Sequence, residues 1–255
     1  MLSYQHAYHA GGPADVHKHA ALAAMLAWLT RKERGISYAE THAGRGLYDL
    51  DAPEAVKTGE ARAGIERAEV DPASPYGQAL AMTRAEFGAR VYPGSPVLAW
   101  ALLRPQDRMT LMELHPAEYA ALREAMAGSG AAIHHRDGFE RLLAMAPLSP
   151  RRGLVLVDPS YEVKTEYAAA AAFVRRMAAR WPEAAVVVWY PVLPAGRHAE
   201  LLAGLAPVRP LIDEVAFRHP PERGMTGSGL AVANAWPGLR EALEAGRAAS
   251  AGIFA

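Results

Sequence analysis

The fold of this chain is decided by the stretch GLVLV-DPSY, which occupies residues 153–161. Five small or branched apolar residues that end in an acid and a proline predict a parallel strand buried on both faces. In open α/β sheets, ligands bind at the carboxyl ends of such strands. We therefore predict a binding loop in which Asp158 supplies a carboxylate, Pro159 a free carbonyl and Tyr161 a ring for base stacking.

Composition indicates a globular protein. The chain has 255 residues, of which 51% are apolar and 21% charged, so it can bury one large α/β core. The absence of cysteine excludes disulfides, thiolate metal sites and a cysteine nucleophile, and it favours a cytoplasmic location. No apolar run approaches the roughly 18 residues of a membrane span, and residues 1–12 lack a secretory pattern, so we expect no membrane partner.

Charge is balanced, with 27 basic and 27 acidic residues, so it does not by itself indicate nucleic-acid binding. A nucleic-acid surface would need arginines gathered on one face. The candidate clusters are Arg151-Arg152, Arg175-Arg176, and the segment 218–223 with Arg218, His219 and Arg223.

Strands and helices alternate along the chain at the spacing of βαβ units, which predicts a mostly parallel sheet. The last two strands are joined by a loop without a helix, so they should pair antiparallel. The predicted fold is therefore an α/β, Rossmann-like sheet of seven strands with one antiparallel strand, the layout of class I S-adenosylmethionine (SAM) methyltransferases. The predicted strands are residues 36–40, 109–113, 131–134, 153–157, 184–190, 211–218 and 229–235.

Residues 51–91 break this rhythm. They carry helical stretches at 54–69 and 78–87, split by a turn-rich segment at 71–75. We predict a small helical insertion subdomain at 51–91 and a methyltransferase domain formed by 1–50 and 92–255. The next helix should have Ser95 as its N-cap and Pro96 at its first position.

Other predicted strand ends repeat the chemistry of the loop at residue 158. The first strand leads into HAGRG at residues 42–46, the second ends at Glu113, and the third is followed by Asp137-Gly138. Glycines allow close backbone approach to a ligand, Glu113 could accept both ribose hydroxyls of an adenosine, and Asp137 could accept its adenine amino group. Each feature alone is equally typical of a turn or a helix N-cap. Four of them in strand order favour an adenosine ligand.

SAM fits this pattern better than NAD or a nucleoside triphosphate does. The dinucleotide fingerprint G-x-G-x-x-G fails here, because Asp49 occupies the third glycine position and the acid Glu113 lies far downstream. A phosphate-binding G-x-x-x-x-G-K-[ST] loop is also missing from the sequence.

Histidines predict no metal site. His17 and His19 are two positions apart on a predicted helix and so face different directions, and no H-x-x-x-H pattern occurs. His6 and His9 lie in a polar N-terminal segment that we expect to be a solvated arm.

Several segments resemble the RlmJ family, the 23S ribosomal RNA adenine-N6 methyltransferases. The most specific are residues 1–11, which begin MLSYQH, and RGMTGSG at residues 223–229. The resemblance covers nearly the whole chain. Its other segments are residues 15–19, 41–46, 92–96, 113–116 and 137–139.

This resemblance implies a site, residue by residue. Asp158 would be catalytic, Tyr4 would help hold the target adenosine, and Pro159 and Tyr161 would contact the base. Ser160 stands where the family usually has the second proline of Asp-Pro-Pro-Tyr. The implied partner is 23S ribosomal RNA, before or early in large-subunit assembly, and we expect a monomer. The implied SAM ligands are His19, His42, Ser95, Glu113, Asp137, Gly138 and Asp158.

The predicted function is SAM-dependent methylation of adenine N6. The Asp158 carboxylate and Pro159 carbonyl would accept the two N–H groups of the amine, and Tyr161 would stack on an unpaired or flipped base. Two alternatives remain open: the same loop could act on DNA adenine or a protein glutamine amide, or the chain could be a catalytically degenerate RNA-binding module.

Overall fold

The computed structural model describes residues 5–255. Its helices are α1 (Pro13–Thr30), α2 (Pro53–Thr58), α3 (Glu60–Ala63), α4 (Pro75–Phe87), α5 (Ser95–Leu102), α6 (Pro116–Ala125), α7 (Gly138–Met145), α8 (Glu166–Arg180), α9 (His198–Leu205) and α10 (Leu239–Ala248). Its strands are β1 (Ser37–Glu40), β2 (Leu47–Asp49), β3 (Glu69–Val70), β4 (Val91–Pro93), β5 (Arg108–Met112), β6 (Ala132–His134), β7 (Gly153–Val157), β8 (Ala184–Val192), β9 (Leu211–Ala216), β10 (Gly227–Ala233) and β11 (Ser250–Ala251).

Seven strands form the main sheet, in the order β6-β5-β1-β7-β8-β10-β9. The pairs from β6 to β8 are parallel, whereas β10 runs antiparallel to both β8 and β9. This confirms the predicted class I methyltransferase layout. The chain moves outward from β1 to one side and from β7 to the other, so the switch point lies between the carboxyl ends of these two strands.

Burial on both faces explains why the central strands are apolar throughout. All five residues of β7 are buried, as are eight of the nine in β8. Helix α1 packs against α4, α5, α10 and β10. Within residues 5–255, no helix combines the length and apolarity that crossing a membrane requires.

The segment 51–91 differs from its prediction in detail. Instead of one helical stretch at 54–69, the chain forms two short helices separated at Gly59, whose φ of 65° interrupts the helix. Strands β2 and β4 pair antiparallel and bring the two ends of the segment together. Strands this short leave no alternating pattern to detect. The subdomain boundaries stay a prediction.

Ser95 does not cap α5, so that prediction was wrong. The helix begins at Ser95 itself, with Gly94 at the N-cap. The Ser95 hydroxyl instead donates to Glu40 Oε2 at 2.7 Å. A fully buried carboxylate needs donors, and satisfying it outweighs a cap that can be left to backbone geometry.

A buried polar network joins α1 to the far side of the sheet. His17 Nε2 lies 3.1 Å from Asp213 Oδ2, and His17 Nδ1 lies 2.9 Å from Ser228 Oγ. Arg247 forms an ion pair with Asp213 from α10. Burial, together with the Arg247 guanidinium, lowers the pKa of His17 to about 3. His17 is therefore neutral in the folded protein at pH 7.

The free energy of unfolding should fall as the pH is lowered below 6.5. Unfolded His17 takes up a proton near pH 6.5, whereas folded His17 does so only near pH 3, so stability is lost across this window. This side chain accounts for about 1.4 kcal/mol per pH unit. Urea denaturation between pH 5 and 7.5 should show a slope smaller by that amount in His17→Leu and unchanged in His219→Leu, at an exposed position. An equal slope in His17→Leu and wild type would contradict the assignment.

Candidate active site

A cavity of about 660 Å³ opens at the carboxyl ends of the central strands. This volume lies within the usual range of ligand pockets, roughly 300–1,000 Å³. Its walls come from the loops that follow β1, β5, β6, β7 and β8 and from the first half of α1. The cavity thus lies at the switch point of the sheet.

Predicted site residues converge on this cavity, although they lie far apart in the sequence. Tyr4 falls outside the described residues. The functional role of each residue stays a prediction, since geometry alone gives only its position. The predicted residues that line the cavity are His19, His42, Ser95, Glu113, Asp137, Gly138, Asp158, Pro159 and Tyr161.

Glu113 is held in a fixed orientation after β5. Its Oε2 accepts the backbone N–H of Gly44 at 2.8 Å, and its Oε1 accepts that of His115 at 2.7 Å. Gly44 has a φ of 65°, which glycine adopts without strain. Burial raises the pKa of Glu113, an effect that these backbone donors oppose. Each carboxylate oxygen keeps a lone pair for a ligand hydroxyl.

Asp137 has a structural role as well as a place in the cavity. Its Oδ1 accepts the backbone N–H of Glu140 at 2.9 Å and so caps α7. Its Oδ2 accepts no hydrogen bond from residues 5–255 and is available to a ligand. Gly138 follows, and any side chain there would overlap the backbone carbonyl of Thr41. Close contact between the loops after β1 and β6 therefore requires glycine.

Two histidines contribute neutral imidazoles to the wall. His42 Nδ1 lies 2.7 Å from Thr41 Oγ1, and burial lowers the pKa of His42 to about 4. His19 Nδ1 lies 2.9 Å from the Tyr92 hydroxyl, and burial lowers the pKa of His19 to about 3. At neutral pH both rings can act as donor or acceptor without adding charge.

Lys18 is the main site residue that the sequence did not predict. Its Nζ lies 2.6 Å from Asp158 Oδ2 and 3.0 Å from Asp15 Oδ1, and the side chain is only 5% exposed. Burial opposes the charge, but the two carboxylates outweigh it and raise the pKa of Lys18. The ammonium group therefore holds one oxygen of Asp158 in place.

The N-terminal segment is packed against this ion pair, so the prediction of a solvated arm was wrong for its described part. His6 Nε2 lies 2.9 Å from Asp15 Oδ2, which also accepts the backbone N–H of Gly11 at 3.0 Å. His9 Nδ1 lies 2.8 Å from Glu60 Oε1. Although burial acts the other way, His6 and Lys18 hold the pKa of Asp15 well below its usual range.

Glu40 is a second residue that the sequence did not single out. It ends β1, is fully buried, and accepts hydrogen bonds of 2.7 Å from the Tyr38 and Ser95 hydroxyls. Burial raises the pKa of Glu40 to about 8. Since the Ser95 hydroxyl donates to Glu40, its oxygen presents an acceptor to the cavity.

The loop after β7 presents two acceptors side by side. Among the described residues, none donates a hydrogen bond to Asp158 Oδ1 or to the Pro159 carbonyl. Tyr161 has a φ of 57°, its hydroxyl donates to the Trp189 carbonyl at 2.6 Å, and its ring centroid lies 4.4 Å from that of Tyr167. The ring is only 8% exposed, so its position is fixed at the cavity wall.

Known proteins resemble this chain over most of its length. A family model described as "Ribosomal RNA large subunit methyltransferase D, RlmJ" matches residues 33–247. The chain is 37% identical over 244 residues to ribosomal RNA large subunit methyltransferase J of Escherichia coli, covering 92% of this chain and 87% of that protein. The protein of the same name from Haemophilus influenzae is 38% identical over 245 residues, with the same coverage.

A solved structure has the same fold. Protein LPL1258 of Legionella pneumophila superposes with a TM-score of 0.82 at 31% sequence identity. The match covers 93% of this chain and 91% of that one. The likeness therefore includes the insertion as well as the main sheet.

Proposed function

We propose that this chain, because it belongs to the RlmJ family of ribosomal RNA large subunit methyltransferases, transfers a methyl group from SAM to N6 of an adenine in 23S ribosomal RNA. The observation that carries this proposal is the pair of adjacent acceptors, Asp158 Oδ1 and the Pro159 carbonyl, at the edge of the cavity. A planar amine with two N–H groups matches two acceptors at neighbouring positions.

Residues of the cavity fit SAM. Glu113 would accept the ribose hydroxyls, and Asp137 Oδ2 would accept the adenine amino group beside Gly138. His19, His42 and Ser95 line the rest of the wall, where neutral donors and acceptors suit the polar amino-acid end. When bound, SAM supplies an electrophilic methyl group on a positively charged sulfur.

Asp158 and Pro159 would prepare the amine for reaction. The lone pair of an aromatic amine is delocalised into the ring, so the amine is a poor nucleophile. Two acceptors on its N–H groups would draw the nitrogen toward a pyramidal geometry and direct its lone pair at the methyl group. Lys18 holds Asp158 Oδ2, which leaves Oδ1 to accept the proton that the nitrogen loses as the N–C bond forms.

Tyr161 would supply the stacking surface for the base. A ring fixed by its hydroxyl bond to Trp189 costs little entropy when a base stacks on it. The adenine must be unpaired or flipped out to reach the cavity, as bases in RNA loops and bulges can be. Tyr4 would close over the base from the N-terminal segment.

The test is methylation of RNA transcripts with isotopically labelled SAM, with the product mapped by mass spectrometry. We expect N6-methyladenine at one position of a 23S transcript, and no label in duplex DNA of the same sequence. Parallel reactions with naked transcript and assembled large subunits test whether the substrate precedes assembly. Labelling of DNA or of a protein amide in place of RNA would contradict the proposal. A protein that fails to bind SAM would fit the degenerate RNA-binding module instead.

SAM affinity should depend on the two acids assigned to its adenosine part. Glu113→Ala and Asp137→Ser each leave ligand donors unpaired, at a cost of about 1–3 kcal/mol. Serine at position 137 still caps α7, so the second variant removes the ligand contact without removing the cap. Calorimetric titration with SAM measures both. Wild-type affinity in both variants would place the adenosine elsewhere.

A further inference from the structure

A second pocket, of about 460 Å³, lies outside the active-site cavity at the edge strand β6. None of its six lining residues is acidic, and four of them are arginine or histidine. The lining residues are Tyr119, Ile133, His134, His135, Arg136 and Arg141. We refer to it as the outer pocket.

The outer pocket shares a wall with the active-site cavity. Arg136 lines the outer pocket, whereas its neighbour Asp137 lines the cavity. His135 Nε2 lies 2.9 Å from the carbonyl of Leu114, which also lines the cavity. A polynucleotide that inserts a base into the cavity could therefore extend into the outer pocket.

Two guanidinium groups in the outer pocket are not engaged in ion pairs. Arg136 and Arg141 are exposed, and neither pairs with an acid within residues 5–255. Arg136 donates only to the backbone carbonyl of His135, at 3.1 Å. Unpaired guanidinium groups bind phosphate oxygens through two parallel N–H donors.

Two further features suit a nucleotide. In the described part of the chain, the buried Nε2 of His134 has no hydrogen-bond partner, a state that buried polar groups rarely keep. The rings of Tyr119 and His135 stack with centroids 4.8 Å apart and 18° between planes, and Arg123 lies 6.0 Å from the Tyr119 centroid. Together they form a flat aromatic surface beside the arginines.

Arginine clusters that the sequence suggested are engaged elsewhere. Arg151 pairs with Glu183 at 2.9 Å, before the amino end of β7 and thus on the side of the sheet opposite the cavity. Arg152 donates to the Leu29 carbonyl and Arg175 to the Gly204 carbonyl. These groups stabilise the fold, which leaves the outer pocket as the better anion site.

We propose that the outer pocket binds a backbone phosphate of the RNA strand that flanks the target base, with Arg136 and Arg141 as its ligands and the Tyr119–His135 surface beside the adjoining nucleotide. This inference rests on the proposed function for the identity of the polymer. Inorganic phosphate presents the same chemistry to the arginines, so the test includes it.

The test compares two double variants with equal loss of charge. Arg136→Ala/Arg141→Ala removes the phosphate ligands. Arg176→Ala/Arg240→Ala, on the exposed faces of α8 and α10, serves as the matched control. For the first variant, we expect the salt dependence of 23S transcript binding to weaken by about one unit of log–log slope per lost contact. The KM for RNA should rise, whereas kcat at saturating RNA and SAM affinity should not change. The control should match wild type.

Each result has a distinct meaning. If wild type methylates RNA and both double variants show the same slope and KM, the outer pocket does not bind RNA and the proposed function stands. If RNA binding depends on Arg136 and Arg141 but wild type transfers no methyl group, the pocket stands and the proposed function fails. Calorimetric binding of inorganic phosphate that depends on these arginines, with unchanged RNA binding, would assign the pocket to a small anion and overturn the proposal.

Discussion

Asp158→Ala is expected to lower the rate of methyl transfer about 10²–10⁴-fold at saturating SAM and RNA, the range usual for loss of a positioned acid–base group. The variant loses the acceptor that orients the amine and takes its proton. The fold should survive, because Lys18 keeps Asp15 as a partner at 3.0 Å. Single-turnover methylation measures the rate, and thermal melting checks the fold.

Two further variants separate charge from shape in this loop. Asp158→Asn keeps the volume but removes the charge, and it should be nearly as slow as the alanine variant. Glu162→Gln changes the next acid along the loop, which is exposed, and should react at close to the wild-type rate. Appreciable single-turnover methylation by Asp158→Ala would remove Asp158 from the catalytic role.

Lys18→Met should lower the free energy of unfolding by about 3–5 kcal/mol, the usual cost of removing one partner from a buried ion pair. Methionine fills a similar volume, so the loss comes from the charge. Asp15 and Asp158 would then face each other in a buried site without the cation that lies within 3.0 Å of both. Methyl transfer should fall as well, because Asp158 loses the group that fixes its orientation. Urea denaturation and single-turnover kinetics measure the two effects.

A double variant distinguishes this electrostatic account from a packing defect. Lys18→Met/Asp158→Asn removes one of the two carboxylate charges and should be more stable than Lys18→Met alone. A packing defect would leave the two variants equally destabilised or make the double variant worse. If Lys18→Met unfolds like wild type, the ammonium does not neutralise these carboxylates in solution.

The sequence by itself determined the architecture, because the signals for it are local. The apolar run at residues 153–157 coincides with β7, and β9 and β10 pair antiparallel as their short connection predicted. Periodicity and connection length depend on neighbouring residues, which the sequence displays directly. The same holds for the loops at strand ends, since parallel strands bring their carboxyl ends to one edge of the sheet.

Only the tertiary structure decided which side chains meet within the site. Lys18 and Asp158 are 140 residues apart, and no local pattern indicates that α1 brings its ammonium to the loop after β7. The same reason explains why Ser95 bonds to Glu40 instead of capping α5, and why His6 is packed against Asp15 instead of solvated. A buried charge is stable only beside a compensating group, and its partner is whichever donor the completed fold brings within about 3 Å.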